Sequence, residues 1–421
     1  MSTVGLITEY NPFHLGHKYH ISEAKRLTGA DTAIVIMSGN YVQRGEPSFA
    51  DKYTKTKIAL NNGADLVIEL PYCFACASAE YFAYGAVSIL DRLGVTDFLC
   101  FGAENNDINT LTAIADILSS EPDMYRSFLN NELKKGISFP QAREAALGQY
   151  TGWNTADIHN ILSAPNNILA IEYLKALSKL KSSIKPVSLK RINASYHDSA
   201  RDKRFYSAAA IRSLAEYSYN DLRNTLDNID NHYLSSFMKS FPILPDDFSV
   251  MVGYSLHTHI FNNTLNHIFG MTKALSNRIR KNMGNYINIT QFSHLLKTKD
   301  ISYTAVSRAL LHCVLNIFSD DMAEYMDNDI CSFVRVLGFS ADHDNIFNLI
   351  KASSDMEIIT GLKGFEDNAR LNPTDRKLIR NGIYCDNLYR MVCSQKYNSK
   401  LPTEYASFLQ KTKNKFQSSV N

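Results

Sequence analysis

The start of the chain constrains the fold most, because four short β-branched and apolar runs alternate there with amphipathic stretches. The runs are Val4 to Thr8, Thr32 to Met37, Asp65 to Leu70 and Asp97 to Phe101. Each ends in loop-formers: Tyr10-Asn11-Pro12, Ser38-Gly39-Asn40, Pro71 and Gly102-Ala103-Glu104-Asn105. Helical stretches lie between them, near Gly16 to Leu27, Asp51 to Asn62 and Ala79 to Leu93. This is the pattern of a parallel sheet covered by crossover helices in right-handed βαβ units. Ligands of such sheets bind beyond the carboxyl ends of the strands, where these loops gather.

One of those loops carries the sharpest chemical signal. His14-Leu15-Gly16-His17 follows the first strand and opens the first helix; with 12 His and 19 Gly in 421 residues, chance gives ~0.015 such tetrads. Two histidines three apart lie on one side of a first helical turn, where free backbone N–H groups and the positive dipole end already favour phosphate. Gly16 keeps bulk out of that space. Upstream, Pro12 fixes the turn and Asn11 offers its side-chain amide either to that turn or to a ligand. His20 continues the spacing as a helix-face residue.

From Ile108 to Leu180 the chain reads as helical, and Pro186-Val187-Ser188-Leu189-Lys190-Arg191-Ile192 reads as a fifth strand returning to the sheet. A polar loop follows, Asn193 to Phe205, after which Ser207 is placed to cap a helix that begins Ala208-Ala209-Ala210-Ile211-Arg212. Beyond about residue 220 the pattern is mostly helical, with one late β-α-β unit at Phe333 to Leu337, Asp342 to Lys351 and Glu357 to Ile359. The expected class is α/β: a Rossmann-like nucleotide-binding catalytic domain over residues 1–215, then a largely α-helical domain over 216–421.

Composition narrows the class further. A chain of this length with 45% hydrophobic residues can bury a large core. The apolar run at Val4-Gly5-Leu6-Ile7 has no basic leader before it, and no stretch is long enough to span a bilayer, so a cytoplasmic protein is expected. Seven scattered cysteines fit reduced thiols, and the lone Cys73-x-x-Cys76 sits in an apolar context that suits buried structural thiols. Net charge is only +2, yet Met271 to Leu310 holds seven basic residues (Lys273, Arg278, Arg280, Lys281, Lys297, Lys299, Arg308) against Asp300 alone. That excess, interleaved with Tyr286, Phe292 and Tyr303, suits either RNA phosphates with an unpaired base or a solvated helical surface over core aromatics.

The N-terminal stretch Gly5-Leu6-Ile7-Thr8-Glu9-Tyr10-Asn11-Pro12-Phe13-His14-Leu15-Gly16-His17 resembles the opening of the tRNA(Met) cytidine acetate ligases, a branch of the HxGH nucleotidyltransferases. The likeness continues at Met37-Ser38-Gly39, Gln43-Arg44-Gly45-Glu46-Pro47, Asp65-Leu66-Val67-Ile68-Glu69-Leu70-Pro71-Tyr72, Phe101-Gly102-Ala103-Glu104-Asn105 and Pro165-Asn166-Asn167-Ile168-Leu169. It extends to Leu275-Ser276-Asn277-Arg278-Ile279 and Lys297-Thr298-Lys299.

The resemblance implies a two-step ligation. ATP activates acetate as acetyl-adenylate, Mg2+ accompanies the pyrophosphate, and the exocyclic amine of the wobble cytidine of elongator methionine tRNA takes the acetyl group. It further implies that His14 and His17 are catalytic. ATP would be held by Ile7 through His20 (Ile7, Thr8, Glu9, Tyr10, Asn11, Pro12, Phe13, His14, Leu15, Gly16, His17, Lys18, Tyr19, His20), by Gly102 and Asn167, and by Arg191-Ile192. From the residues alone, Gly102 serves equally as a strand-end turn, Asn167 as a helix cap and Arg191 as a solvated charge. Arg44, Ser207 and Arg212 are candidates for substrate or phosphate contact. Related enzymes carry a hydroxyl-rich motif where this chain has Ser207-Ala208-Ala209-Ala210-Ile211-Arg212, so a hydroxyl clasp is not expected.

For tRNA the candidates are Arg278, Arg280, Lys281, Lys297, Lys299 and Arg308. Lys52 and Lys57 read as solvated helix-face charges. No membrane or obligate protein partner is expected, and the residues name no metal ligands. The rival readings are a cofactor adenylyltransferase that moves AMP to a small phosphate ester, and a non-catalytic RNA-binding protein.

Overall fold

The computed structural model describes residues 1–191, 206–230, 233, 236, 239–406 and 409–412. Its centre is an eight-stranded sheet. Strands β1 (Thr3–Thr8), β2 (Thr32–Ser38), β5 (Leu66–Leu70), β6 (Phe98–Ala103) and β7 (Lys185–Lys190) run parallel in the spatial order β5-β2-β1-β6-β7, and a separate hairpin, β3 (Tyr41–Val42) with β4 (Glu46–Pro47), sits in the loop after β2. The chain moves outward from β1 through β2 to β5 and then crosses back to β6 on the other side. Strand order therefore reverses at β1, and a crevice opens between the carboxyl ends of β1 and β6.

Alternation along the strands separates two cores. Ile34, Ile36, Leu66 and Ile68 pack on one face against the helices Ala79–Arg92 and Pro165–Leu180. Ala33, Val35, Met37 and Val67 pack on the other, with Ile21 of helix α1 (Leu15–Thr28) and Ile58 of helix α2 (Lys52–Asn61). Successive side chains of a strand point to opposite faces, and both faces here are covered, which explains the near-continuous apolar runs.

The late unit is present as β8 (Phe333–Ser340), a helix at Ile346–Ser353 and β9 (Glu357–Ile359), with β9 parallel to β8. β8 lies antiparallel beside β5, and β10 (Gln410–Thr412) pairs with β8. The sheet thus crosses the change of pattern near residue 215. Between β7 and β8 the described chain is helical, and the long helix Pro373–Tyr397 lies against the N-terminal loops, where Tyr41 Oη donates to the Cys385 carbonyl at 2.8 Å and Tyr389 Oη to that of Ser48 at 2.7 Å.

Lys52 corrects the expectation of a solvated charge. It is 1% exposed, and its Nζ lies 2.9 Å from Glu69, 2.6 Å from Asp386 and 3.0 Å from Glu404. Lys57 is exposed as expected. All seven cysteines are free and buried, and among the described residues no helix is long and apolar enough to cross a membrane.

Candidate active site

A cavity of about 610 Å³ occupies the crevice between β1 and β6. From the expected nucleotide segment it is lined by Ile7, Thr8, Glu9, Tyr10, Asn11, His14, His17 and His20. Gly102, Arg191, Arg44, Ser207 and Arg212 join them, as do Thr304 and Arg308 from the C-terminal half. Phe82, Phe101, Leu169 and Tyr173 form an apolar part of the wall.

The histidines owe their geometry to the helix start. His14 is the N-cap of α1 in extended conformation, and its backbone N–H donates to His17 Nδ1 at 3.2 Å. With Nδ1 accepting, the neutral His17 ring carries its proton on Nε2, which is left to donate elsewhere. The two rings stack with centroids 3.7 Å apart. Gly16 makes that stack possible, since a Cβ there would lie 2.8 Å from His14 Cε1.

Burial is the main cause that holds all three histidines neutral, with the Arg191 charge adding to it. His14 and His20 are pushed down to about 4 and His17 well below its usual value, where the neighbouring His14 and His20 contribute as well. Positive charge in the cavity therefore comes from its arginines. Among the described residues no carboxylate lies within 4.0 Å of Arg44, Arg191 or Arg308, whereas Arg212 Nε lies 4.0 Å from Glu46 and its Nη1 donates to the Asn11 carbonyl at 2.7 Å.

Several polar atoms on this wall have no hydrogen-bond partner among the described residues: Asn11 Nδ2, His14 Nδ1 and His20 Nε2 are buried and unbonded there. Asn11 serves the turn at the same time, because its Oδ1 accepts from the Phe49 N–H at 2.7 Å. Buried polar groups are nearly always paired, so a cluster of exceptions on one wall points to a polar ligand.

The other candidates are placed as follows. Pro12 and Phe13 are buried in the turn, Phe13 in the α2-side core, while Leu15, Lys18 and Tyr19 lie off the cavity wall, Tyr19 on the outer side beside Glu23 and Arg26. The Asn167 side chain is engaged within the scaffold: Oδ1 accepts from Asn105 N–H at 2.9 Å and Nδ2 donates to the Ile161 carbonyl at 3.1 Å, while Asn166 and Ile168 beside it face the cavity. Ile192 lies outside the described residues. Ser207 caps its helix by accepting from Ala210 N–H at 3.2 Å, and the methyl groups of Ala208 and Ala209 stand in the wall where a hydroxyl-rich motif was not expected.

The basic segment does not act as one surface. Arg278 donates to the carbonyls of Leu296 (2.7 Å) and Leu295 (2.9 Å), closing the end of the helix Ile289–Leu296. Arg308 points into the cavity. Arg280 is half-buried, and Lys273, Lys281, Lys297 and Lys299 are exposed. Of the interleaved aromatics, Phe292 is fully buried and packs edge-on to Tyr286, whose hydroxyl donates to the Ser249 carbonyl at 2.6 Å, so these two belong to the core.

Lys55 is a residue that sequence reading missed. It is buried one turn after Lys52, donates to the carbonyls of Glu9, Ser38 and Gly39 at 2.8–2.9 Å, and is lowered by burial to about 7. It ties together the loops that leave β1 and β2. The available signal is its spacing, three and four residues before the apolar Ile58 and Ala59 on one side of α2.

A reversed strand order with an HxGH helix start at the switch point defines a nucleotidyl transferase of the HIGH type. A family model described as HIGH Nucleotidyl Transferase matches residues 1–404. Curated relatives include the tRNA(Met) cytidine acetate ligase of Thermoanaerobacter sp. (strain X514), 39% identical over 93% of this chain and 95% of that protein. The ligase of the same name from Clostridium perfringens (strain SM101 / Type A) is 39% identical over 86% and 90%. Among solved structures, Thermotoga maritima TmcAL bound with alpha-thio ATP is 30% identical, with a TM-score of 0.87 over 98% of this chain and all of that one. The chain belongs to the tRNA(Met) cytidine acetate ligase family.

Proposed function

We propose that the protein is an ATP-dependent ligase that activates acetate as acetyl-adenylate and acetylates the exocyclic amine of the wobble cytidine of elongator tRNA(Met). The observation that carries this reading is the cavity itself. Neutral stacked histidines stand at a helix N-terminus, beside Arg44, Arg191 and Arg308, which have no carboxylate within 4.0 Å among the described residues, and an apolar wall.

In the first step an acetate oxygen attacks the α-phosphorus of ATP, a new P–O bond forms, and the bond to pyrophosphate breaks. In the second the cytidine amine attacks the acetyl carbonyl, the C–O bond to AMP breaks, and the amine releases a proton. Neither step needs a protein nucleophile, so positioning and charge neutralisation can supply the catalysis. In this reading the His17 Nε2–H and the free N–H groups of α1 donate to phosphoryl oxygens, and Arg44 and Arg191 neutralise charge. Phe82, Phe101 and Tyr173 offer an apolar seat for a base.

Among the described residues no cluster of three or more His, Cys, Asp or Glu is arranged to hold a metal. Glu9 accepts from the Gln43 N–H, and Glu104 is engaged by Asn166 and the Asn167 N–H. A Mg2+ ion would therefore enter with the nucleotide, held by its phosphates and water. Binding of tRNA is assigned to the exposed lysines Lys281, Lys297 and Lys299, and the site of action to the cytoplasm, where tRNA and ATP occur together.

The test is pyrophosphate release from ATP by the purified protein with acetate and with a panel of other acids. Acetate should support release, and propionate should react about 10- to 200-fold more slowly, the usual worth of one methylene in a fitted pocket. AMP transfer to a phosphorylated cofactor precursor, with no release on acetate, would replace this reading with a cofactor adenylyltransferase.

A further inference from the structure

We infer that Arg308, supplied by the C-terminal half, holds a phosphate of the bound nucleotide beyond the α-phosphate. The inference rests on the nucleotide reading of the cavity given above.

Arg308 sits on the helix Tyr303–Leu315 and enters the cavity from the same helical face as Thr304, four residues earlier. It is largely buried, and that burial lowers its guanidinium from the usual value. An arginine so placed normally has a carboxylate beside it, because removing a lone charge from water is costly. Here its one acceptor among the described residues is the Gln43 carbonyl, 3.3 Å from Nη1. A guanidinium has five N–H donors in a planar fork suited to phosphate, so most of them are available to a ligand.

Anchoring the Gln43-Arg44-Gly45 loop does not account for this arginine. That loop is already held by Ser307, whose hydroxyl donates to the Gly45 carbonyl at 2.8 Å. It is also held by close approach, because Gly45 has φ +76° and a Cβ there would lie 2.3 Å from the Arg308 backbone nitrogen. The same loop presents Arg44 to the cavity. Two arginines from opposite halves of the chain thus line one cavity, neither with a carboxylate within 4.0 Å among the described residues. Of the acids on its wall, Glu9 accepts from the Gln43 N–H and Glu104 from Asn166 and Asn167, while Arg212 nearby is engaged with Glu46 and Asn11. Two guanidinium groups on one cavity suit a polyphosphate better than a single phosphate, which makes the pyrophosphate end of ATP the occupant.

The experiment compares binding of ATP, AMP and inorganic pyrophosphate to wild type, Arg308→Gln, Arg308→Lys and Ser307→Ala, with tRNA binding in the absence of nucleotide as a further arm. Arg308→Gln should weaken ATP and pyrophosphate about 10- to 100-fold, the worth of charge-assisted contacts, and change AMP by no more than about threefold. Arg308→Lys should recover part of that loss, and Ser307→Ala should leave the ATP-to-AMP ratio near wild type. Equal losses for ATP and AMP would mean a structural role and overturn the inference. Loss of tRNA binding with ATP unaffected would overturn it in favour of an RNA phosphate. A wild type without affinity for ATP would overturn the nucleotide reading itself, a failure visible in the wild-type arm alone.

Discussion

The turn from Glu9 to His20 and the segment from Met271 to Leu310 are both rich in groups that suit phosphate, but their side chains are organised differently. In the turn, one backbone path sends Asn11, His14, His17 and His20 to a single cavity wall. In the segment, seven cations spread over two helices and a loop: one enters the cavity, one closes a helix end, one is half-buried and four face solvent. A helix start imposes a common direction on its neighbours because its free N–H groups and dipole point one way. Charge density along a chain imposes none.

The largest effect that follows from this contrast is catalytic. His17→Ala or His14→Ala should lower acetate-dependent pyrophosphate formation on the order of a hundredfold or more, as loss of one preorganised donor commonly does. A loss below about threefold in folded protein would remove the turn's special standing. Charge reversal in the segment comes next, and the lysines are the clean probe because Arg278 and Arg308 have other partners. Lys281→Glu, Lys297→Glu and Lys299→Glu together should leave adenylate formation near normal, weaken tRNA binding and flatten log affinity against log salt by roughly 2 to 3 units. An unchanged slope would make these lysines an ordinary solvated surface.

Arg278→Ala sharpens the contrast from within the segment. It loses two charge-assisted bonds to the C-terminal end of one helix, so unfolding free energy should fall by about 1.5–3 kcal/mol in a denaturant titration, with salt dependence of tRNA binding near wild type. If instead stability held and tRNA binding fell, Arg278 would belong to the RNA surface after all.

Acid should weaken the turn. His20 is about 4 in the folded chain and near its ordinary 6.5 when unfolded, so between those values the unfolded state binds the extra proton. Stability is then complete above about 6.5 and is lost as pH falls toward 4, at about 1 kcal/mol per unit for each such histidine near pH 5. Melting curves of nucleotide-free wild type and His20→Gln from pH 7 to 5 should diverge, with the variant flatter. Parallel curves would mean that His20 is not desolvated.

What could be read in the residues follows the same division. β1, β2, β5, β6 and β7 announced themselves because apolar runs and their loop-formers are local, and the tetrad announced itself because its meaning depends on the strand before it and the helix after it. The late β-α-β unit was equally legible, but its antiparallel seat beside β5 was not, because that pairing joins residues more than 260 positions apart. Lys52 illustrates the same limit: its partners Asp386 and Glu404 lie over 330 positions away, and no local pattern announces them. Arg308 read as a tRNA-binding candidate of the basic segment for that reason, since the loop that receives it is the distant Gln43-Arg44-Gly45.

The central claim is that one cavity carries an acetyl group from acetate through an adenylate to a tRNA cytidine. The most direct measurement incubates wild type and His17→Ala with labelled acetate, ATP and tRNA, then digests the tRNA and examines its nucleosides by mass spectrometry. The account predicts labelled acetylcytidine that requires ATP, forms with AMP and pyrophosphate in equal amounts, and falls on the order of a hundredfold in the variant. Pyrophosphate release with acetate but no label on any cytidine, or acetylcytidine formed equally well by the variant, would contradict it.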